Sequence, residues 1–447
     1  MNTPICDFVR GYADAGNARL HMPGHKGAGP LGCEALDITE VEGADDLSHP
    51  KGIILESENN ASTLFGTRHT FYSAGGSSQC VKAMLYLAML HRVSATSRTV
   101  LAGRNAHKAF LHACALLDLE PHWLLPEGES SLCACPLSPA GLERVLADQD
   151  ASPLAVYVTS PDYLGGMLDI GALADVCHRH GVPLLVDNAH GAYLRFLSPS
   201  RHPMDLGADL CCDSAHKTLP VLTGGAYLHV SSSAMASYEH EARQALALFG
   251  SSSPSYLILQ SLDACNHHLV HCYTQRLERV VRRLDELKER LVAKGVPVRF
   301  GEPLKLVIDG WAAGCSGYEL ATLLRQNGVE PEYADPDEVV LMYAADASES
   351  DFHRVETAFV GFHPRPWRSP TALPTPGERV LSPRTAMLSP WEEVPVAVAA
   401  GRVCAGAAVS CPPAIPIAVS GERITMEAVA LMMDLGFDTV SVVQERI

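Results

Sequence analysis

The chain has 447 residues, 47% of them hydrophobic and 19% charged, which is enough for two or three domains with a large core. Its 34 Lys and Arg and 51 Asp and Glu give a net charge of −17, which argues against nucleic-acid binding because that function needs a basic face. The sequence has no apolar stretch of roughly 18 residues and no recognisable secretory leader, so we expect a cytoplasmic protein without membrane spans whose 14 cysteines are reduced.

Turn residues dominate the first part of the chain. Residues 1–60 are rich in Gly, Pro, Asp and His, and the segments LHMPGHKGAGP and EGADDLSHPKG are interpreted as loops. We expect an ordered arm, with a disordered tail as the alternative. From Thr70 to about Val230 short apolar runs alternate with helical patterns, which is typical of an α/β domain with a parallel sheet. The elements predicted there are helices over Ser77–Arg92, Ala106–Leu117 and Ile170–His180, and strands over Arg98–Ala102, Leu154–Thr159 and Val182–Val186.

The second half predicts a smaller α/β domain. Ser261–Lys294 is long, polar and periodic, so it is interpreted as one connecting helix. The segments VPVRF, LKLVID and EVVLMYA predict strands, and Met426–Leu435 predicts a helix. The Pro-rich stretch HPRPWRSPTALPTPGER is interpreted as a surface crossing. We therefore predict an arm over 1–60, a large cofactor-binding domain over 61–290 and a small domain over 291–447.

Four short motifs are expected to converge, because loops at the carboxyl ends of parallel strands meet at one edge of a sheet. The first is SAGGSSQ, residues 73–79, at the start of a helix. Gly75 and Gly76 allow close backbone approach, while Ser77 and Ser78 add hydroxyls to the free N–H groups of the helix N-terminus. The motif therefore predicts a phosphate cradle, although an ordinary Gly-Ser turn explains it equally well when it stands alone.

Two further motifs carry ionisable side chains. In LLVDNAH, Asp187 follows an apolar strand and can pair with a cationic ring nitrogen, and His190 could reach a ring hydroxyl. In CCDSAHKTLPVLTGG, Lys217 follows two candidate phosphate ligands, Ser214 and His216. A lysine in a partly desolvated setting can act as a nucleophile. The simpler alternatives are a turn-capping aspartate and a surface lysine.

The fourth motif, GRNAHKAF, places His107 near the start of a helix, where its imidazole could stack on a flat ring. A structural histidine at a helix N-terminus is the alternative. Each motif is weak alone, but the chain order of Gly-Ser loop, His, Asp and Lys makes the combination specific.

With these motifs the sequence resembles pyridoxal-phosphate (PLP) enzymes of fold type I, the aspartate-aminotransferase fold group. Within that group it resembles the short form of the ornithine/lysine/arginine decarboxylase family. The resemblance implies a large domain with a mixed, mostly parallel sheet sandwiched by helices, and a smaller C-terminal α/β domain. The segments that carry it are HMPGHKG (21–27), EGADDLSHPKG (42–52), FGTRHTFYSAGGSSQ, TSPDYLG, VDNAHGAY, SAHKTL and CPPAIPIAVSGERI (411–424).

The resemblance implies a role for each matching residue. Lys217 would hold PLP as a Schiff base, and Asp187 would pair with the pyridine nitrogen. His107 and Ala189 would lie on the two ring faces, with His190 near the ring hydroxyl. Lys217 or His216 would also return a proton after the carbon bond breaks. The expected phosphate ligands are Gly76, Ser77, Ser78, Ser214 and His216.

The implied reaction is decarboxylation of lysine, arginine or ornithine, as in polyamine metabolism, by a homodimer or higher oligomer with shared sites. Candidate substrate carboxylates are Asp162, Asp45, Asp46 and Glu422. An alternative on the same scaffold is aminotransfer, elimination or cyclisation of an arginine-like amino acid, for which Arg423 could grip the α-carboxylate. A catalytically idle homologue would be expected to have lost Lys217 or Asp187, and both are present.

Several positions depart from the family pattern. Asn188 replaces a Glu, Tyr193 a His, Asp162 a Thr and Ala74 an Asn. These changes put the choice of substrate in doubt rather than the cofactor. The segment CNHHLVHC (265–272) has histidines at metal-like spacing, but we interpret it as structural and predict no metal site.

Overall fold

The computed structural model describes residues 1–91, 97–128, 131, 133–149, 151–411 and 415–445. It forms two compact units, one of residues 1–98, 142–160 and 169–274 and one of residues 99–141, 161–168 and 275–447. The predicted arm belongs to the first unit, and the division at residues 60 and 290 stays a prediction. Residues 412–414 of the C-terminal motif and Arg92, the last residue of the helix predicted over Ser77–Arg92, lie outside the described residues.

The elements are numbered in chain order. The helices are α1 Pro4–Asp14, α2 Ile53–Phe65, α3 Gly76–His91, α4 Lys108–Leu117, α5 Pro139–Ala147, α6 Ile170–Arg179, α7 Ala215–Thr218, α8 Ala236–Phe249, α9 Tyr256–Val270, α10 Tyr273–Ala293, α11 Gly317–Gln326, α12 Glu349–Ala358, α13 Pro383–Met387 and α14 Met426–Asp434. The strands are β1 His69–Ser73, β2 Thr99–Gly103, β3 Glu120–Leu124, β4 Ala155–Thr159, β5 Leu184–Asp187, β6 Leu210–Asp213, β7 Ala226–Val230, β8 Val298–Arg299, β9 Lys305–Asp309, β10 Tyr333–Ala334, β11 Glu338–Met342, β12 Trp391–Pro395, β13 Ala408–Cys411, β14 Ile415–Val419 and β15 Thr439–Val443.

The main sheet has seven strands in the order β1-β7-β6-β5-β4-β2-β3. Strand β7 runs antiparallel to both of its neighbours, whereas the pairs β6/β5, β5/β4 and β2/β3 are parallel. Helix α3 packs against β1, β5, β6, β7 and α8. The prediction of an α/β fold with a mixed, mostly parallel sheet is confirmed.

The strand register brings the predicted site residues of the first unit to one edge of this sheet. Ser73 lies opposite the first residue of β7, and Asp213 lies opposite the second. Asp187 lies opposite Thr159, the last residue of β4. The last residues of β1, β6, β5 and β4 therefore form a row, and the loops that follow these strands start from the same edge.

The first 60 residues also contain two helix starts that the sequence did not predict. Helix α1 begins at Pro4, which favours a helix start, and buries Ile5 and Val9. Helix α2 follows Asp45, whose carboxylate accepts hydrogen bonds from the N–H groups of Gly52 and Ile54 at 2.8 and 3.0 Å. Residues 18–52, between the two helices, form turns and bends as expected.

The single connecting helix predicted over Ser261–Lys294 is wrong. Helix α9 ends at Val270 and α10 begins at Tyr273, because Cys272 takes the left-handed conformation at φ 61°. His267 and His271 of the metal-like segment stack with ring centroids 4.1 Å apart, and their Nδ1 atoms each lie 2.7 Å from a backbone carbonyl.

The second unit contains the strands predicted for the smaller domain. They form an antiparallel sheet in the order β10-β11-β9-β8. Helix α14 begins after Thr425, whose side chain accepts from the Ala428 N–H at 3.1 Å, as predicted. Among the described helices, none is both long and apolar enough to cross a membrane.

Candidate active site

Lys217 lies in the one-turn helix α7, four residues after the end of β6. Its Nζ lies 3.1 Å from Nε2 of His190, a residue that is 5% exposed. Lys217 itself is exposed in the single chain. The single chain therefore leaves Lys217 partly accessible to solvent.

Asp187, the last residue of β5, is 3% exposed and firmly held. Its Oδ2 accepts a hydrogen bond from the Tyr157 hydroxyl at 2.9 Å, and its Oδ1 accepts from the Ala189 N–H at 3.2 Å. The Cys212 thiol lies 3.6 Å from the same Oδ1. Sequence analysis did not find Tyr157, although its place two residues before the end of the neighbouring strand could have suggested it.

The residues predicted to hold a phosphate lie around the N-terminus of α3. The hydroxyls of Ser77 and Ser214 lie 2.6 Å apart, so the loops after β1 and β6 meet there. Gly76 adopts φ 72°, and a Cβ added to it would meet no atom within 4 Å. The Gly76 N–H is already bound to the Gly224 carbonyl at 2.8 Å, so an anion would be held by the later N–H groups of the helix start and the two hydroxyls.

Gln79 stabilises this loop, a role that the sequence motif alone did not reveal. Its Oε1 accepts from the Ser73 hydroxyl at 2.6 Å and from the Gly75 N–H at 3.1 Å, while its Nε2 donates to the Leu246 carbonyl at 2.7 Å. The side chain thus joins the glycine turn to α8.

Two of the three predicted site histidines, His216 and His107, have one ring nitrogen engaged by the backbone. His216 Nδ1 lies 3.0 Å from the Gly225 carbonyl, to which it donates. His107 is the N-cap of α4 and accepts at Nδ1 from the Ala109 N–H at 3.1 Å, which leaves the proton on Nε2. His107 belongs to the second unit, and the other predicted cofactor ligands belong to the first.

A buried polar network beneath Ser214 was missed by sequence analysis. Asp213 is fully buried, and its Oδ2 lies 3.0 Å from Nε2 of both His202 and His229. Its Oδ1 accepts from the Asn188 amide at 2.7 Å. Burial alone would raise the pKa of Asp213, but the two imidazoles outweigh it and hold that pKa well below its usual range, whereas burial lowers the pKa of His229.

His202, Cys211 and Asp213 have the ligand types of a metal site, with atoms within 4.8 Å of one another. The hydrogen bonds argue for a different use. His202 Nδ1 accepts from the Met204 N–H at 3.3 Å, so its proton sits on Nε2 and points at Asp213. An Nε2 that carries this proton donates a hydrogen bond and cannot ligate a metal.

Three of the candidate substrate carboxylates accept hydrogen bonds from backbone N–H groups of residues that follow them in the chain. Asp162 is 6% exposed, its Oδ1 accepts from the N–H groups two and four residues ahead, and burial raises its pKa to about 6. Asp45 accepts from four backbone N–H groups, which outweigh burial and lower its pKa. Asp46 accepts from the Ser48 N–H at 2.8 Å.

Glu422 is 2% exposed and pairs with Arg104 through two hydrogen bonds of 2.8 Å. Arg423, the alternative α-carboxylate ligand, donates to the Gly401 carbonyl at 2.9 Å and lies 3.8 Å from the exposed Glu378. The roles predicted for the four carboxylates and for Arg423 stay predictions.

Comparison with known proteins agrees with this arrangement. Residues 3–310 match the family model of the "Orn/Lys/Arg decarboxylase, major domain". The chain belongs to this family. The resemblance proposed from the motifs is therefore confirmed.

Two of its relatives from Bacillus subtilis span nearly the whole chain. The uncharacterized Bacillus subtilis protein YaaO is 32% identical over 463 residues, covering 96% of this chain and 93% of that protein. An arginine decarboxylase of Bacillus subtilis is 27% identical and covers 96% and 92%. The lysine decarboxylase structure of Francisella novicida has a TM-score of 0.79 at 17% identity, covering 99% of this chain and 81% of that one, which shows a shared fold.

Proposed function

We propose that this protein is a PLP-dependent decarboxylase that converts a basic amino acid into the corresponding amine and carbon dioxide. The observation that carries the proposal is the family match over residues 3–310, in a chain that retains Lys217 beside His190 and Asp187 at the same sheet edge as the phosphate cradle.

The residues fit PLP in both charge and shape. Ser77, Ser78 and Ser214, together with the start of α3, would hold the phosphate, and Lys217 would bond to the aldehyde carbon. His107 would lie against the ring. When bound, PLP supplies an electron sink that takes up the electron pair released as carbon dioxide leaves.

The carboxylate of Asp187 would pair with the pyridine nitrogen and keep it protonated. The Tyr157 hydroxyl and the Ala189 N–H fix its carboxylate by hydrogen bonds, so the negative charge stays at one position as the reaction proceeds. His190 lies beside the amine of Lys217 and orients it. Once Lys217 is released by the substrate, its amine can carry the proton that replaces the lost carboxylate, with His216 as the second candidate.

The substrate class follows from the family and its relatives. Since arginine decarboxylases match nearly the full chain, L-arginine is the first substrate to test, followed by L-lysine and L-ornithine. The net charge of −17 suits a cationic substrate. Asp162, Asp45, Asp46 and Glu422 remain the candidate carboxylates for its charged end.

A second copy of the chain is part of the proposal. Lys217 is exposed in the single chain, and a site that releases carbon dioxide from a carboxylate benefits from the exclusion of water. A homodimer whose partner covers this mouth would supply that exclusion. We also propose a cytoplasmic location and a role in making polyamine precursors.

Incubation of the purified protein and PLP with each of the three basic amino acids tests the reaction. We expect carbon dioxide together with agmatine, cadaverine or putrescine. Borohydride reduction should attach PLP to the peptide of Lys217, and Lys217→Ala should abolish both results. Lys294→Ala, at an exposed lysine of the second unit, is the matched control and should leave both unchanged. Absence of carbon dioxide with all three amino acids would refute decarboxylation, and product analysis would then identify aminotransfer, elimination or cyclisation.

A further inference from the structure

Residues from the C-terminal part of the second unit contact both ends of α4, the helix whose N-cap is His107. At the start of α4, Glu422 binds Arg104 through two hydrogen bonds of 2.8 Å. At its end, Arg384 donates to the carbonyls of Ala115 and Leu116 at 3.1 and 3.0 Å. These contacts restrain α4 at both ends.

The pair of Glu422 and Arg104 is buried and geometrically complete. Their side chains are 3% and 12% exposed, and the guanidinium lies 4.8 Å from the ring centroid of Trp123. Both carboxylate oxygens accept a charged donor, and Oε2 also lies 3.4 Å from the Val419 N–H. A carboxylate engaged in this way has little capacity left for a substrate cation.

The backbone around Glu422 admits little movement. Glu422 and Arg379 form a β-bridge, and the Arg379 side chain donates to the Pro121 carbonyl at 2.6 Å. A Cβ on Gly421 would lie 2.1 Å from the Leu381 carbonyl oxygen, so the two segments approach more closely than any other residue would allow. Glu422 therefore presents its carboxylate from a fixed position.

Arg104 lies three residues before His107, so fixing Arg104 also limits the movement of His107. Its N–H donates to the Leu124 carbonyl at 3.1 Å, and the Ala106 N–H donates to the Gly103 carbonyl at 3.1 Å. The loop is thus held by its backbone at one end and by the Arg104 side chain at Glu422. His107 follows at the end of this loop, and its ring accepts from the Ala109 N–H at 3.1 Å.

We propose that Glu422 is a positioning residue that sets the place of the His107 imidazole through Arg104, and that it does not recognise the cationic end of the substrate. The inference rests on the proposed function, in which His107 lies against PLP. It assigns the charged end of the substrate to a different carboxylate.

Glu422→Gln and Arg104→Lys test the inference in the PLP-loaded protein. The first removes the charge of the acceptor, and the second keeps the positive charge but loses the planar fork, so it should fold even where the first does not. Glu378→Gln is the matched control, since Glu378 is an exposed carboxylate of the same segment that lies 3.8 Å from Arg423. The measurements are visible circular dichroism of bound PLP, the dissociation constant of PLP, and kcat and KM for L-arginine.

We expect both variants to change the dichroic band of PLP and to lower kcat by about 10- to 100-fold, because small displacements of a reacting group carry costs of that size. KM should change by less than about threefold, since contact with the substrate is unaltered. The double variant should be no worse than the more impaired single variant, because the two side chains act as one unit. Glu378→Gln should match the wild type.

The inference is overturned if Glu422→Gln raises KM by about tenfold or more while kcat and the dichroic band stay unchanged, since that is the mark of substrate recognition. Multiplied effects in the double variant, or a wild-type dichroic band in Arg104→Lys, would also overturn it. Failure of the proposed function has a separate sign. If the wild-type protein binds PLP but decarboxylates none of the three amino acids, the proposed function fails. The dichroic band and the dissociation constant of PLP then test the positioning role by themselves.

Discussion

Glu302→Gln should remove a pH-dependent loss of stability from the second unit. Glu302 and Asp162 are 1% and 6% exposed, and between them lies the ammonium of Lys305, 3.8 Å from Glu302 Oε1 and 2.8 Å from the Asp162 carbonyl. Burial raises the pKa of Glu302 to about 7 and that of Asp162 to about 6, against the attraction of Lys305.

The sign of the effect follows from the direction of the shift. Because the pKa of Glu302 is higher in the folded protein than the ordinary 4.5, the unfolded chain binds fewer protons than the folded one between pH 4.5 and about 7. Stability therefore falls as pH rises through this window. A rise from 4.5 to about 7 corresponds to about 3 kcal/mol, at roughly 1.36 kcal/mol for each tenfold change in proton affinity.

Urea unfolding followed by far-UV circular dichroism between pH 5 and 8 measures the effect. The wild type should lose stability across this range, and Glu302→Gln should lose about 3 kcal/mol less, because an amide does not ionise. Glu289→Gln, at an exposed position of α10, is the control and should follow the wild type. If Glu302→Gln and the wild type decline equally, the reasoning from burial is refuted.

Asp213→Leu should lower the free energy of unfolding by about 3–5 kcal/mol, because it leaves the buried donors of His202, His229 and Asn188 without their acceptor; a loss below about 1 kcal/mol in urea unfolding would contradict this. Gly76→Ala should cost about 1–2 kcal/mol, since φ 72° strains any residue with a Cβ, and an unchanged melting temperature would argue against it. Iodoacetamide should label Cys272 first among the described cysteines, because it is the exposed one, and peptide mass spectrometry of the native protein would expose an error if a buried thiol reacted sooner.

The sequence predicted the central elements well because their burial is uniform. The strand expected over Leu154–Thr159 differs from β4 by one residue, and the helix expected over Ile170–His180 differs from α6 by one. Both are continuous or regularly spaced apolar patterns, which a fully covered sheet and its helices require.

Helix α2 escaped prediction because its buried face is partly polar. Glu58 is fully buried there, with its carboxylate bound by Arg243 and accepting from the Tyr72 N–H at 2.9 Å. Ser57 and Ser62 are buried on the same helix. A pattern of apolar residues cannot reveal a buried face whose polar members depend on tertiary partners such as Arg243, 185 residues from Glu58.

The candidate site likewise contains residues that the sequence revealed and residues that it did not. Lys217 and Asp187 could be proposed from their motifs because each follows an apolar strand within a short signature. Tyr157 and the partner of Glu422 could not, since Tyr157 is 30 residues from Asp187 and Arg104 is 318 residues from Glu422. Contacts over such separations depend on strand order and register, which the motifs do not encode.

Asn188 shows how the structure reassigns a departure from the family pattern. The resemblance places a Glu there in many relatives, and the change was taken to bear on substrate choice. The Asn188 amide instead donates to Asp213, whose lowered pKa keeps it ionised, at a position with no exposure. A glutamate at 188 would bring a second carboxylate against that charge without a proton to share, whereas the Asn188 amide donates to Asp213 at the end of β6. The change at 188 is therefore explained by the buried network around Asp213.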